Sequence, residues 1–299
     1  MKVGLLDIDR HNFPNLALMK ISTYHKNKGD KVEKFFGLNK YDIVYASKVF
    51  TFTPDYDEII MADKIVKGGT GFDLTSKLPQ EIECQYPDYS LYGITDTAYG
   101  YLTRGCPRCC NFCIVAEKEG RQSVKVADLN QFWKGQKNIE ILDPNILACK
   151  DWEDLLQQCI DSGVYVNFNQ GLDIRLMTEK KQQMLNKIKH KAFHFAWDNA
   201  EDTKTFEMLK EYRNGFNDRD DKLLVYVLTN FNSTFEQDLY RIYKLRDIGY
   251  DPYVMIYDKP NAPKKIRDLQ RWCNSKFIFR TCKNFKDYKN LGVEDERKI

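Results

Sequence analysis

The chain reads as α/β, with a small Rossmann-like domain in front of a partial (β/α)6 barrel. Three observations point there. Residues 1–77 alternate strand, helix and strand with short connections, the order that gives a parallel sheet. Behind a linker at 78–96, six apolar runs recur over 97–258, most of them separated by helix-length stretches. Polar residues then follow several of these runs, and loops at the C-terminal ends of parallel strands converge over one opening. Residues 259–299 form a basic C-terminal segment.

In the front domain, residues 3–8 are an apolar strand and Pro14 stands where a helix can begin. Leu16, Met19, Ile21 and Tyr24 belong to that helix, and Gly29 stops it. Strands are expected at 32–36, 43–45 and 65–66, with only a weak helix before the last. The linker has little periodicity and carries Pro79 and Pro87. The six later strands are expected at 98–103, 139–142, 164–168, 192–196, 223–228 and 253–256. Six units are too few to close an eight-stranded barrel, so the barrel is read as open. The clearest helix begins at Ser233, where Glu236 completes a capping box, and ends at Gly249.

Size and composition suit an enzyme. The 299 residues are 30% charged and 42% hydrophobic, with no apolar run near the length of a membrane span. The net charge is +3, unevenly placed. Counting Lys and Arg against Asp and Glu gives 12 − 14 = −2 for residues 1–100, 22 − 24 = −2 for 101–258 and 12 − 5 = +7 for 259–299. Nothing at the N-terminus resembles a signal peptide. Nine cysteines without one point to a reducing, cytoplasmic location.

Three of those cysteines carry the chemistry. Cys106, Cys110 and Cys113 have C-x3-C-x2-C spacing, and three thiolates so close suit an iron–sulfur cluster with one iron left unligated by protein. Zinc is the rival, since Cys106/Cys109 and Cys110/Cys113 are two CxxC pairs. Zinc ribbons separate their pairs by roughly 15–20 residues. Here the pairs abut, and one short turn would have to surround the metal. Cys109 is left as a spare thiol. Cys84, Cys149, Cys159, Cys273 and Cys282 are scattered and read as small hydrophobes.

Asp143 and Asn145 follow the second barrel strand; Asn169, Gln170, Asp173 and Arg175 follow the third; Asp198 follows the fourth and Asn230 the fifth. Asn199 and Thr229 are read as turn or capping residues. Arg175 is the candidate to pair with the carboxylate of an amino-acid cofactor, because its planar fork reaches both oxygens.

The run Arg104-Gly105-Cys106-Pro107-Arg108, with Cys110, Phe112-Cys113 and Glu117-Lys118-Glu119-Gly120, resembles the cluster loop of radical S-adenosylmethionine (radical SAM) enzymes. The subgroup it resembles carries a cobalamin-binding-like domain ahead of the barrel, and the linker with Leu78-Pro79 and Pro87-Asp88-Tyr89 resembles theirs too. The resemblance implies a 4Fe–4S cluster on Cys106, Cys110 and Cys113, with the SAM methionine group chelating the fourth iron. It implies an electron donor such as flavodoxin or ferredoxin, and a 5′-deoxyadenosyl radical that abstracts hydrogen from a substrate. It places Phe112 beside cluster and adenine. The family's Gly-Gly-Glu stretch is replaced by Asp143-Pro144-Asn145, which leaves Asp143 or Asn145 to hold the methionine amine.

In front, Asp9 and His11 match the family's Asp-x-His-x-x-Gly, but Pro14 replaces the glycine. Bound cobalamin, which would make the protein a radical methyltransferase, is therefore weighed and not expected. A different class is a nucleic-acid-binding module with a structural cluster. Its interface would be the basic segment, where Trp272, Phe277, Phe279, Phe285 and Tyr288 are interleaved. The substrate is not legible.

Overall fold

The computed structural model describes residues 1–11 and 13–288. It is mixed α/β with parallel sheets, and divides into two compact units, Met1–Val166 and Asn167–Ile299.

In the first unit, β1 (Lys2–Asp7), β2 (Lys31–Lys34), β3 (Tyr41–Ser47) and β4 (Ala62–Gly68) form a parallel sheet in the order β2-β1-β3-β4. The helix α1 (Leu16–Asn27) starts at Asn15, whose side chain accepts the Leu18 N–H. Its Leu18 and Ile21 pack on Val3, Leu5 and Ile43. The other sheet face buries Leu6, Tyr41, Val44 and Ala46 under Tyr56 and Ile60. Residues 48–61, which join β3 to β4, contain no helix, and Tyr56 and Ile60 of this loop pack on that face beside Ile8 and Phe35.

The linker holds two short helical turns, α2 (Gln80–Glu83) and a 3-10 turn at Tyr89–Tyr92. After it, β5 (Thr97–Gly100) ends at a glycine for a packing reason: a Cβ on Gly100 would lie 2.3 Å from the Phe132 ring. A short antiparallel hairpin follows, made of β6 (Thr103–Arg104) and β7 (Val124–Lys125), with α3 (Val115–Lys118) in the loop between them. Two-residue strands carry no periodicity, so this hairpin is not legible in the sequence. Next come β8 (Asn138–Ile141), parallel to β5, the helix α4 (Trp152–Ser162), and β9 (Tyr165–Phe168), within which the division falls.

The second unit is built on a parallel sheet of β10 (Phe193–Ala196), β11 (Leu223–Thr229) and β12 (Asp251–Ile256). The helices α5 (Glu179–Leu185), α6 (Thr203–Arg213) and α7 (Phe235–Asp247) intervene, followed by α8 (Lys264–Asn274) and α9 (Lys276–Thr281). The cap of α7 is one residue later than expected. Thr234 and Gln237 make the capping box, and the Ser233 hydroxyl donates to Asp238 instead.

Two aromatics of the basic segment pack fully inward. Trp272 and Phe279 are buried, and Trp272 meets Phe279 and Phe285 edge to face. Phe277 is exposed. Residues 289–299 lie outside the described residues. Among the described residues, no helix is long and apolar enough to cross a membrane.

Candidate functional site

The cysteine loop opens just beyond β5 and is tied at its neck. Arg104 Nη1 donates to Glu119 Oε1 at 2.7 Å and the Gly105 N–H to Glu119 Oε2 at 3.1 Å. The Cys106 N–H reaches the Gly120 carbonyl at 3.1 Å. Gly105 has φ +83°, and a Cβ there would sit 2.1 Å from the Gln122 carbonyl oxygen, so only glycine fits. The Arg104 guanidinium stacks 3.5 Å from the Tyr101 ring centroid.

Within the loop, Cys109 takes φ +49° and the Cys113 N–H bonds the Cys110 carbonyl at 2.9 Å. Cys106 and Cys110 are half-buried, Cys109 and Cys113 exposed. Phe112 is half-buried. Among the described residues, no three His, Cys, Asp or Glu side chains are gathered as a metal-ligand set. The residue types, three cysteines on one loop, suit iron–sulfur ligation. Asn145 Nδ2 stands 3.6 Å from Cys106 Sγ.

Asp143 and Asn145 follow β8, and each is only 3% exposed. The Asp143 carboxylate accepts the Leu102 N–H at 2.7 Å, the Thr103 N–H at 2.8 Å and the Thr103 hydroxyl at 2.7 Å. It thereby fixes the chain between β5 and β6. Burial pushes its carboxyl up to about 7, while these three donors pull the other way.

The remaining candidates belong to the second unit. Gly171, at φ +90°, turns the chain after β9 so that the Leu172 N–H bonds the His194 carbonyl at 2.7 Å. Asn169 is half-buried and Gln170 exposed. Asp173 accepts the Arg175 backbone N–H at 3.2 Å and its Nε at 2.7 Å, and Arg175 Nη1 lies 3.6 Å from Asp202. Asp202 also caps α6 by accepting the Thr205 N–H. The sequence reading passed over Asp202, although an aspartate ahead of a helix-forming run is a legible cap.

Asp198 follows β10 and is half-buried. Burial raises its carboxyl to about 6, against the pull of Arg241 and Arg175. Asn230 ends β11 at φ +62° and donates to the Tyr257 carbonyl at 2.9 Å. Asn199 accepts the Glu201 N–H, a turn contact. Arg241, on α7, is fully buried and donates to the Trp197 and Leu228 carbonyls at 2.8 and 2.7 Å. It holds the two strand ends that carry Asp198 and Asn230.

In the front domain, the Asp9 carboxylate accepts the Val49 N–H at 2.5 Å, the Phe50 N–H at 3.3 Å and the Thr53 hydroxyl at 2.6 Å. His11 packs edge to face on Phe50, with ring centroids 4.9 Å apart. Compared with known proteins, the chain matches no family model and no curated protein.

Proposed function

We propose that the protein is a radical SAM enzyme. The observation that carries this reading is the placing of three cysteines, Cys106, Cys110 and Cys113, in one glycine-turned loop beyond a parallel strand. On this reading the front sheet is a Rossmann-like domain, and β5, β8, β9, β10, β11 and β12 are the six strands of an open barrel. Cys106, Cys110 and Cys113 would hold a 4Fe–4S cluster, which would supply the reductive cleavage of S-adenosylmethionine that starts radical chemistry on a substrate. An electron donor such as flavodoxin or ferredoxin feeds it.

The chain's own residues bind and orient. Glu119 and Asp143 hold the loop's neck and its approach. Arg175, steadied by Asp173 and Asp202, offers a guanidinium to the cofactor carboxylate. Asp198, with a carboxyl that titrates near 6, is placed to hold or release a proton near neutral pH.

The test is direct. Anaerobically reconstituted protein, reduced with dithionite, is expected to release 5′-deoxyadenosine and methionine from SAM by chromatography. Arg175→Ala is expected to weaken SAM binding roughly tenfold or more, the loss of about one charge-assisted bond. Release no greater than from cluster-free protein would leave the chain as a binding module with a structural cluster.

A further inference from the structure

We propose that Asn145 is a hydrogen-bond donor to the cluster sulfur of Cys106 and sets the cluster's reduction potential; the inference rests on the cluster assignment above. Nδ2 lies 3.6 Å from Cys106 Sγ, within range for a bond to the larger sulfur atom. Both ends of the contact are fixed by backbone. The Asn145 carbonyl accepts the buried Ser123 hydroxyl at 2.8 Å and the Ala148 N–H at 3.2 Å. Cys106 is held through its own N–H on Gly120.

The orientation of the amide follows from chemistry. A ligating thiolate has no proton to give, so it repels Oδ1 and attracts the NH₂ group. The neighbouring acid cannot take over the role, because Asp143 accepts from Leu102 and Thr103.

Reduction by one electron from the external donor adds negative charge to the cluster, part of it on sulfur. A neutral N–H donor stabilises that more negative state and raises the potential. Asn145 stands in the stretch that the sequence reading gave to the methionine amine; on this view its amide serves the sulfur instead.

The test is an EPR-monitored redox titration of the anaerobically reconstituted full chain, without SAM. Asn145→Leu and Asn145→Ala each remove the donor without adding charge. Each is expected to shift the one-electron equilibrium about tenfold toward the oxidised cluster, which is 59 mV lower in potential. Ser123→Ala, which loosens the anchor and keeps the amide, is expected to give a smaller shift of the same sign. Loaded variants with the wild-type potential would overturn the proposal, and the smaller alanine keeps the test decisive where leucine fails to load. Wild-type protein that takes up no cluster would instead remove the cluster assignment, a separate and distinguishable result.

Discussion

Arg241 Nη2 and Asp238 Oδ1 lie 2.6 Å apart inside α7, with both side chains fully buried. The same guanidinium bonds the carbonyls of Trp197 and Leu228, so one ion pair governs how β10 and β11 end. Removing one partner strands a charge in the interior. Asp238→Ala is expected to cost about 3–5 kcal/mol in urea unfolding. The double variant Asp238→Leu/Arg241→Met is expected to cost less than the sum of the single changes, because no lone charge remains. Additive costs would mean the two groups act independently.

The cysteines divide by role. Replacing Cys106, Cys110 or Cys113 by alanine is expected to abolish the visible absorbance of the reconstituted cluster. Cys109→Ala is expected to keep it, since Cys109 is exposed and its backbone sits at φ +49°. Iron and sulfide analysis of each variant checks this. An essential Cys109 beside a dispensable Cys110 would shift the ligand register by one.

Asp143 gives a prediction in pH. Its folded carboxyl titrates near 7, above the usual value near 3.9, so the folded protein binds more protons than the unfolded chain between those values. Its contribution to stability is full below about pH 4 and declines as pH rises to about 7. Asp143→Asn is expected to flatten the stability profile across that window, by one to a few kcal/mol. Urea midpoints at pH 5 and pH 7.5 measure it. Parallel profiles for the two proteins would show that the carboxyl is ionised throughout.

For the front domain, hydroxocobalamin added to the protein is expected to wash away on desalting. Asp9 spends both carboxylate oxygens on the loop at 49–53, and His11 packs on Phe50. Proline at position 14 also adds a ring and fixes φ near −65° where the family's loop has glycine. Stoichiometric retention, lost in His11→Ala, would make the protein a candidate methyltransferase.

Much of this fold is legible because its strands are apolar runs between clear breaks. Residues 3–8, 43–45 and 223–228 announce themselves by hydrophobicity alone, and the structure has strands at Lys2–Asp7, Tyr41–Ser47 and Leu223–Thr229. What the sequence hides are contacts between distant residues. Ser233 and Thr234 can both cap α7, and the choice depends on Asp238 drawing the serine away. Nothing in the sequence singles out Arg241, which is buried because Trp197 and Leu228 bring their carbonyls to it. Trp272 and Phe279 read equally as a stacking platform or as core, and only helix packing makes them core. The spacing of Cys106, Cys110 and Cys113 is visible at once, whereas the amide beside Cys106 comes from the loop after β8, 39 residues away.

The hairpin of β6 and β7 brings Arg104 and Val124 together as partners, and this changes the entropy of the cysteine segment. Closing a loop costs about (3/2)RT ln n plus a constant. Here that cost is met by peptide hydrogen bonds and by Glu119 at the neck. Were the proposed cluster bound, iron lost to oxygen would leave a segment whose ends are still joined. Fresh iron and sulfide would meet an already folded chain, and reassembly of the centre becomes a local repair with no global refolding step.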